Sequence, residues 1–181
     1  MTILNAKEVI QVKALAVALL LVMFAFLDVA EAKDSAADAS RKLGMRYYRG
    51  EGVPLDYDKA VLHLGRAVEQ GDAEAANILG KMYEFGMGVK EDEALSAKWY
   101  VAGSELNDPA SQFHASIAYY KGAGVTKDRA QAAKWWTLAM AHGEWFRKRY
   151  LPTIESAEAT LTPDELAEGR RMAAEWKARG K

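Results

Sequence analysis

A chain of 181 residues, half of them hydrophobic, is long enough to bury a core of its own and does not have the composition of a disordered segment. Its formal net charge of −1 gives no electrostatic reason to expect nucleic acid or an anionic membrane surface as partner. With no cysteine, disulfides, a lipid-anchored cysteine and thiolate zinc sites are excluded, so stability must come from packing.

Residues 1–32 differ from the rest. Lys7 and Lys13 flank a mildly polar start, fourteen uncharged residues run from Ala14 to Leu27, and Ala30-Glu31-Ala32 places small residues two apart. That order is a secretory signal with cleavage expected between Ala32 and Lys33, which makes the mature protein periplasmic or secreted. The other reading is an uncleaved anchor. Fourteen helical residues reach about 21 Å, short of a hydrocarbon core of about 30 Å, and Asp28 closes the run. Cleavage removes two of 24 basic and three of 25 acidic residues and leaves 22 of each, a formally neutral mature protein.

From Lys33 onward one phrase is written three times, over 33–71, 72–107 and 108–143. Five positions 36 residues apart are identical in every copy: Tyr47/Tyr83/Tyr119, Gly50/Gly86/Gly122, Gly52/Gly88/Gly124, Val53/Val89/Val125 and Asp56/Asp92/Asp128. A fixed period of this length signals stacked supersecondary units. Each unit reads as two helices. In the first, Ala39-Leu43-Tyr47, Ala75-Leu79-Tyr83 and Ser111-Ala115-Tyr119 recur at i, i+4 and form a stripe expected to face the core. Gly-x-Gly ends that helix, since glycine accepts the left-handed backbone a helix terminus often needs. The valine then plugs the turn, and the aspartate caps the second helix by accepting its free first-turn N–H groups.

The second helices carry Ala60-x-x-His63-x-x-x-Ala67, Ser96-x-x-Trp99-x-x-x-Gly103 and Ala132-x-x-Trp135-x-x-x-Ala139. Small residues around one large ring let neighbouring helices approach while the ring fills the gap. Gly71, Asn107 and Gly143 close the units, all residue types that tolerate a left-handed cap.

The composite pattern Ala-x-x-x-Leu-Gly-x-x-Tyr-x-x-Gly-x-Gly-Val-x-x-Asp-x-x-x-Ala-x-x-Trp-x-x-x-Ala-x-x-x-Gly, assembled from residues 39–143, resembles the Sel1-like repeat, a relative of the tetratricopeptide repeat. This chain departs from it at His63 in place of tryptophan, Ala115-Ser116 in place of Leu-Gly, and Asn107 in place of glycine, all changes that preserve packing. The resemblance implies an all-α fold, a right-handed α/α superhelix of three helix-turn-helix repeats with a C-terminal capping helix. It also implies an adaptor role, in bacteria often in envelope signalling, secretion or host interaction.

Residues 144–181 read as a partial fourth repeat and a terminal cap. "WFRKRYL" at 145–151 begins a fourth copy that Pro152 is expected to interrupt, with Trp145, Phe146 and Leu151 packing on the third repeat. Thr162, Pro163 and Glu165 then open a helix through a capping box, expected to run to about Arg179 with Leu166, Ala173 and Trp176 on one side.

The chain carries no Gly-Lys-Ser/Thr phosphate loop, no His-Glu-x-x-His pair and no Gly-x-Ser-x-Gly elbow. His63, His114 and His142 do not stand at ligand spacing on one helix, so no metal, cofactor or catalytic residue is expected. "KWYVAG" and "KWWTLAM" occupy equivalent repeat positions and read as core rather than as a sugar or membrane platform.

Opposite the core stripe, the first helices present Arg41, Met45 and Tyr48, then Asn77, Lys81 and Glu84, then Phe113, Ile117 and Tyr120. In the superhelices this sequence resembles, the first helices line the concave surface. The column would then grade from cationic to apolar and suit a short peptide with an acidic and a hydrophobic end. Alternatively the terminal cap covers Phe113, Ile117 and Tyr120. The function expected is a non-catalytic scaffold that binds an envelope protein or peptide. Its rivals are an enzyme or binder acting on a cell-wall or β-lactam-like substrate, and a structural subunit anchored through residues 9–29. The first rival comes from a penicillin-associated branch of the resembling family, and that branch is built on paired cysteines absent here.

Overall fold

The computed structural model describes residues 36–176, which are helical throughout apart from short connections. The expected cleavage site at Ala32 and Lys33 lies outside the described residues. The terminal helix, expected to reach about Arg179, ends instead at Glu175, where the backbone of Trp176 turns extended. Helix α1 covers 36–49, followed by α2 (Tyr57–Glu69), α3 (Ala73–Glu84), α4 (Glu93–Glu105), α5 (Pro109–Lys121), α6 (Arg129–Met140), α7 (Glu144–Glu158) and α8 (Pro163–Glu175). No helix among the described residues is long and apolar enough to cross a membrane.

Each repeated residue has one repeated job. Asp56, Asp92 and Asp128 are extended-backbone caps of α2, α4 and α6, and their carboxylates accept from the N–H groups of Lys59, Leu95 and Gln131 at 2.8–2.9 Å. The same aspartates donate their own N–H to the carbonyls of Tyr47, Tyr83 and Tyr119, 3.0 Å in every unit, which closes the loop on the helix before it. Gly50, Gly52, Gly86, Gly88, Gly122 and Gly124 all have φ between 61° and 79°. Asp72 and Asp108 cap α3 and α5 in the same way, a second series directly after Gly71 and Asn107. Asn107 holds φ 69° without being glycine, and its side-chain oxygen accepts from Gln112 at 3.2 Å.

The helices stack as an α-solenoid. α3 packs on α4 and α5 on α6 within units, while α2 packs on α3 and α4 on α5 between them. Small residues set the approach: an added Cβ at Gly44 would lie 2.8 Å from Leu64 and one at Gly80 2.5 Å from the Tyr100 ring. Ala60, Ala67, Ala132 and Ala139 are fully buried beside His63 and Trp135 as the pattern requires. Trp135 and Trp136 are core and Trp99 is half-buried.

Three further expectations fail. Ala39 is exposed although its equivalents Ala75 and Ser111 are fully buried, because among the described residues no helix precedes α1 to cover that end of the stripe. Pro152 does not interrupt the fourth copy: α7 runs through it. Its missing N–H costs one helical bond, and the chain continues because Phe146 and Ile154 are buried on either side of it. Trp145 and Leu151, expected to pack, are 75% and 39% exposed, and Ile154 takes the inward place instead.

The last two helices therefore do not repeat the unit. α8 packs along α6 more extensively than α7 does, with Trp176 edge-on to Trp135 at 6.0 Å. α7 lies across α5, its Phe146 and Tyr150 rings 6.3 and 4.1 Å from Phe113. The expected capping box of α8 is present, Thr162 and Glu165 each bonding the other's backbone.

Candidate functional site

The nine residues of the predicted column fall into three environments. On α1, Arg41 is held by Asp38, Asp72 and Glu74 at 2.8–3.1 Å, so its charge is already matched. Met45 and Tyr48 pack partly into the first core cluster, and the Tyr48 hydroxyl donates to Met87 Sδ at 3.6 Å. Arg41 and Met45 also border an open recess of about 400 Å³ with Arg46, Arg49, Glu51 and Glu74. On α3, Asn77 is buried against Ser111 of α5 and offers no surface. Lys81 stays half-exposed, and Glu84 accepts from Tyr100 of α4 and faces His114 of the next unit.

On α5 the three predicted residues are placed differently. Phe113 is covered by α7. Ile117 and Tyr120, with the edge of Phe113, border a largely apolar cavity of about 280 Å³ between α5 and α7, floored by Trp136 and Ile154 and rimmed by Thr153, Ser156 and Thr160. Tyr120 and Thr160 close one end through their hydroxyls, 2.9 Å apart.

A second cavity, about 510 Å³, opens on the other side of Ile117 between the ends of α3, α4 and α5. Four carboxylates, Glu84, Glu91, Asp92 and Glu93, border it against one lysine, Lys121. Two aromatic residues fix its inner wall. Tyr100 and His114 stack at 4.4 Å with 9° between planes. The Tyr100 hydroxyl donates to Glu84 at 2.5 Å, and His114 Nδ1 lies 3.8 Å from the same carboxylate. Burial and then the Glu84 bond hold the Tyr100 phenol well above its usual pKa, so it remains a donor. Burial pushes His114 below its usual value despite Glu84, and the ring is neutral at pH 7.

This wall was not read from the sequence. Tyr100 and His114 occur in single units, and nothing in the repeat period singles them out. Glu91, Asp92 and Glu93 stand together at the entry to α4, yet only Asp92 belongs to the repeating set. A run of acidic residues beside a cap was the available signal. Among the described residues no group of three or more His, Cys, Asp or Glu side chains could hold a metal ion. What the two cavities can do chemically is bind: one excludes water from an apolar group, and the other presents negative charge on a rigid wall.

A family model described as the Sel1 repeat matches three consecutive segments, residues 37–72, 73–108 and 109–144. Among solved structures, a Sel1 repeat protein from Oxalobacter formigenes is 36% identical, with 70% of this chain and 97% of that one covered at a TM-score of 0.57. A protective antigen present in uropathogenic Escherichia coli strains, displaying an SLR fold, is 34% identical over 79% of this chain at a TM-score of 0.59. The match spans 31% of that antigen's length. A search of curated proteins finds no match.

Proposed function

We propose, from the premise that the chain belongs to the Sel1 repeat family, that it is a non-catalytic scaffold of the bacterial cell envelope which binds a protein or peptide segment on its inner face. Sel1 repeats are in general protein-interaction repeats. The observation that carries the reading is the pair of open cavities on either side of Ile117, built on the helix face that the repeat presents opposite its core stripe. An envelope location is supported by the basic, apolar and small-residue order of residues 1–32.

In-cell crosslinking and co-purification of the tagged chain, beside a Lys81→Glu/Tyr120→Ala variant, tests the binding role. One envelope protein captured by the parent and lost from a variant with unchanged helical circular dichroism is the expected outcome. Equal capture by both would move the interface off this face. Mass spectrometry of the isolated protein's N-terminus tests the location: an end at Lys33 is expected, and an intact Met1 or Thr2 end would favour the anchored subunit.

A further inference from the structure

Ile117 and Lys121 border both cavities, so a ligand lying along α5 meets an apolar recess and an acidic one side by side. The apolar recess, at about 280 Å³, is smaller than the roughly 300–1,000 Å³ typical of small-molecule sites. It suits one large side chain with polar groups nearby for a backbone. In the acidic recess, Glu84 is engaged by Tyr100 and Asp92 by the first turn of α4. The Glu91 and Glu93 carboxylates are exposed and make no hydrogen bond or ion pair with another described residue, which leaves their charge available. The neutral His114 contributes no compensating charge.

Resting on the binding role proposed above, we infer that the bound segment is an extended peptide carrying an apolar side chain and, close by in its sequence, a basic one. The apolar side chain enters between α5 and α7, and the lysine or arginine enters the acidic recess at the ends of α3, α4 and α5. Charge complementarity selects this occupant. A segment acidic at that point would meet four carboxylates. Lys121 is the one bordering cation and opposes the basic group it sits beside. The expected peptide is thus opposite in charge to the acidic-ended one that Arg41 suggested in the sequence, because Arg41 is already neutralised by Asp38, Asp72 and Glu74.

The test uses the purified chain and fluorescein-labelled Gly/Ser heptapeptides bearing one Phe, with Arg placed one, two or three residues later, followed by fluorescence anisotropy at low salt. At the best spacing, Phe/Arg should bind about tenfold tighter than Phe/Glu, an effect that fades as salt rises. Replacing Phe by Gly, or filling the apolar recess with Thr153→Trp, should abolish binding. Glu91→Gln/Glu93→Gln, both at exposed positions, should shrink the charge preference to about twofold, and Lys121→Ala should widen it. If no Phe/Arg spacing outperforms Phe/Glu, or if the glutamine pair leaves the preference unchanged, the inference is overturned. Should the parent still capture its partner in cells in that case, the binding role stands and only the partner chemistry falls; loss of both sinks both. A concentration-dependent dimer abolished by Thr153→Trp in sedimentation would make a second copy the occupant and would also overturn it.

Discussion

At Gly124 the backbone has φ 71°, and an added Cβ would run into the Glu93 carbonyl group where the third turn rests on the start of α4. At Gly71 φ is 101° with nothing within 4 Å of the Cβ position. Both glycines are conformationally required, but only one is also a packing surface. Gly71→Ala should therefore cost about 1–3 kcal/mol from backbone strain, and Gly124→Ala a further 1–3 kcal/mol or so from overpacking against backbone that cannot yield. Urea unfolding midpoints check the order of the two. His114 is the second decisive residue. Its folded-state pKa is depressed by burial, so the unfolded chain binds more protons as pH falls below about 6.5. Stability is then intact above that value and declines as pH drops through it toward the lowered one. His63, depressed by burial and then by Arg66, acts in the same direction. His114→Phe keeps the ring stacked on Tyr100 and should flatten the decline between pH 7 and pH 5, read as thermal midpoints. An equally steep loss in the variant would place the proton elsewhere.

Helix by helix, the caps were legible where they recur in every unit and hidden where they do not. Asp56, Asp92 and Asp128 announce themselves three times. Asp72 and Asp108 cap just as directly, but Ala36 and Glu144 stand at the equivalent positions at either end, so that series never reaches three. Asp108→Ala should cost about 1 kcal/mol as a lost cap, and Asp72→Ala more, since Asp72 also holds Arg41 at 2.8 Å. The terminal helices show why the remainder was not legible. α7 was expected to break because proline is expensive inside a helix, at about 3 kcal/mol, a local rule that tertiary packing of Phe146 and Ile154 overrides. Which of Trp145, Phe146, Leu151 and Ile154 turns inward depends on where α7 crosses α5, and no helical period within 144–158 encodes a crossing. The apolar cavity owes its existence to that crossing, so only its α5 wall of Phe113, Ile117 and Tyr120 could be named beforehand. Pro152→Ala restores a helical bond at an exposed position and should raise stability by about 1–3 kcal/mol, or roughly 2–4 °C per kcal/mol in a chain of this size. A lowered melting point would mean that the proline shapes the path of α7 over Phe113.

For the molecule as a whole, the consequence of solenoid packing is that stability is shared between neighbours rather than across one central core. The buried residues divide accordingly, into a cluster around Leu64, Leu79 and Met82, one around Tyr100, Ala115 and Trp135, and one around Phe113, Trp136, Phe146 and Ile154. The last two depend on the terminal helices, since Trp176 sits on Trp135 and α7 supplies Phe146 and Ile154. α8 reaches α6 because Gly169 is buried where a side chain would collide with Ala133 and the backbone of Ala130. Gly169→Leu lifts that contact without shortening the chain. Fully burying one large apolar side chain is worth about 1.5–3 kcal/mol, so partial exposure of Trp135 and its neighbours should remove several kcal/mol from the third unit while leaving α2 and α3 paired. Hydrogen exchange by mass spectrometry separates this from a global effect. Amides of α6 and α8 should exchange faster in the variant and those of α2 and α3 at the parental rate. Uniform acceleration from α1 to α8 would show instead that the three clusters unfold as a single block, and the proposed binding face on α5 would then be as rigid as the molecule's least exchangeable helix.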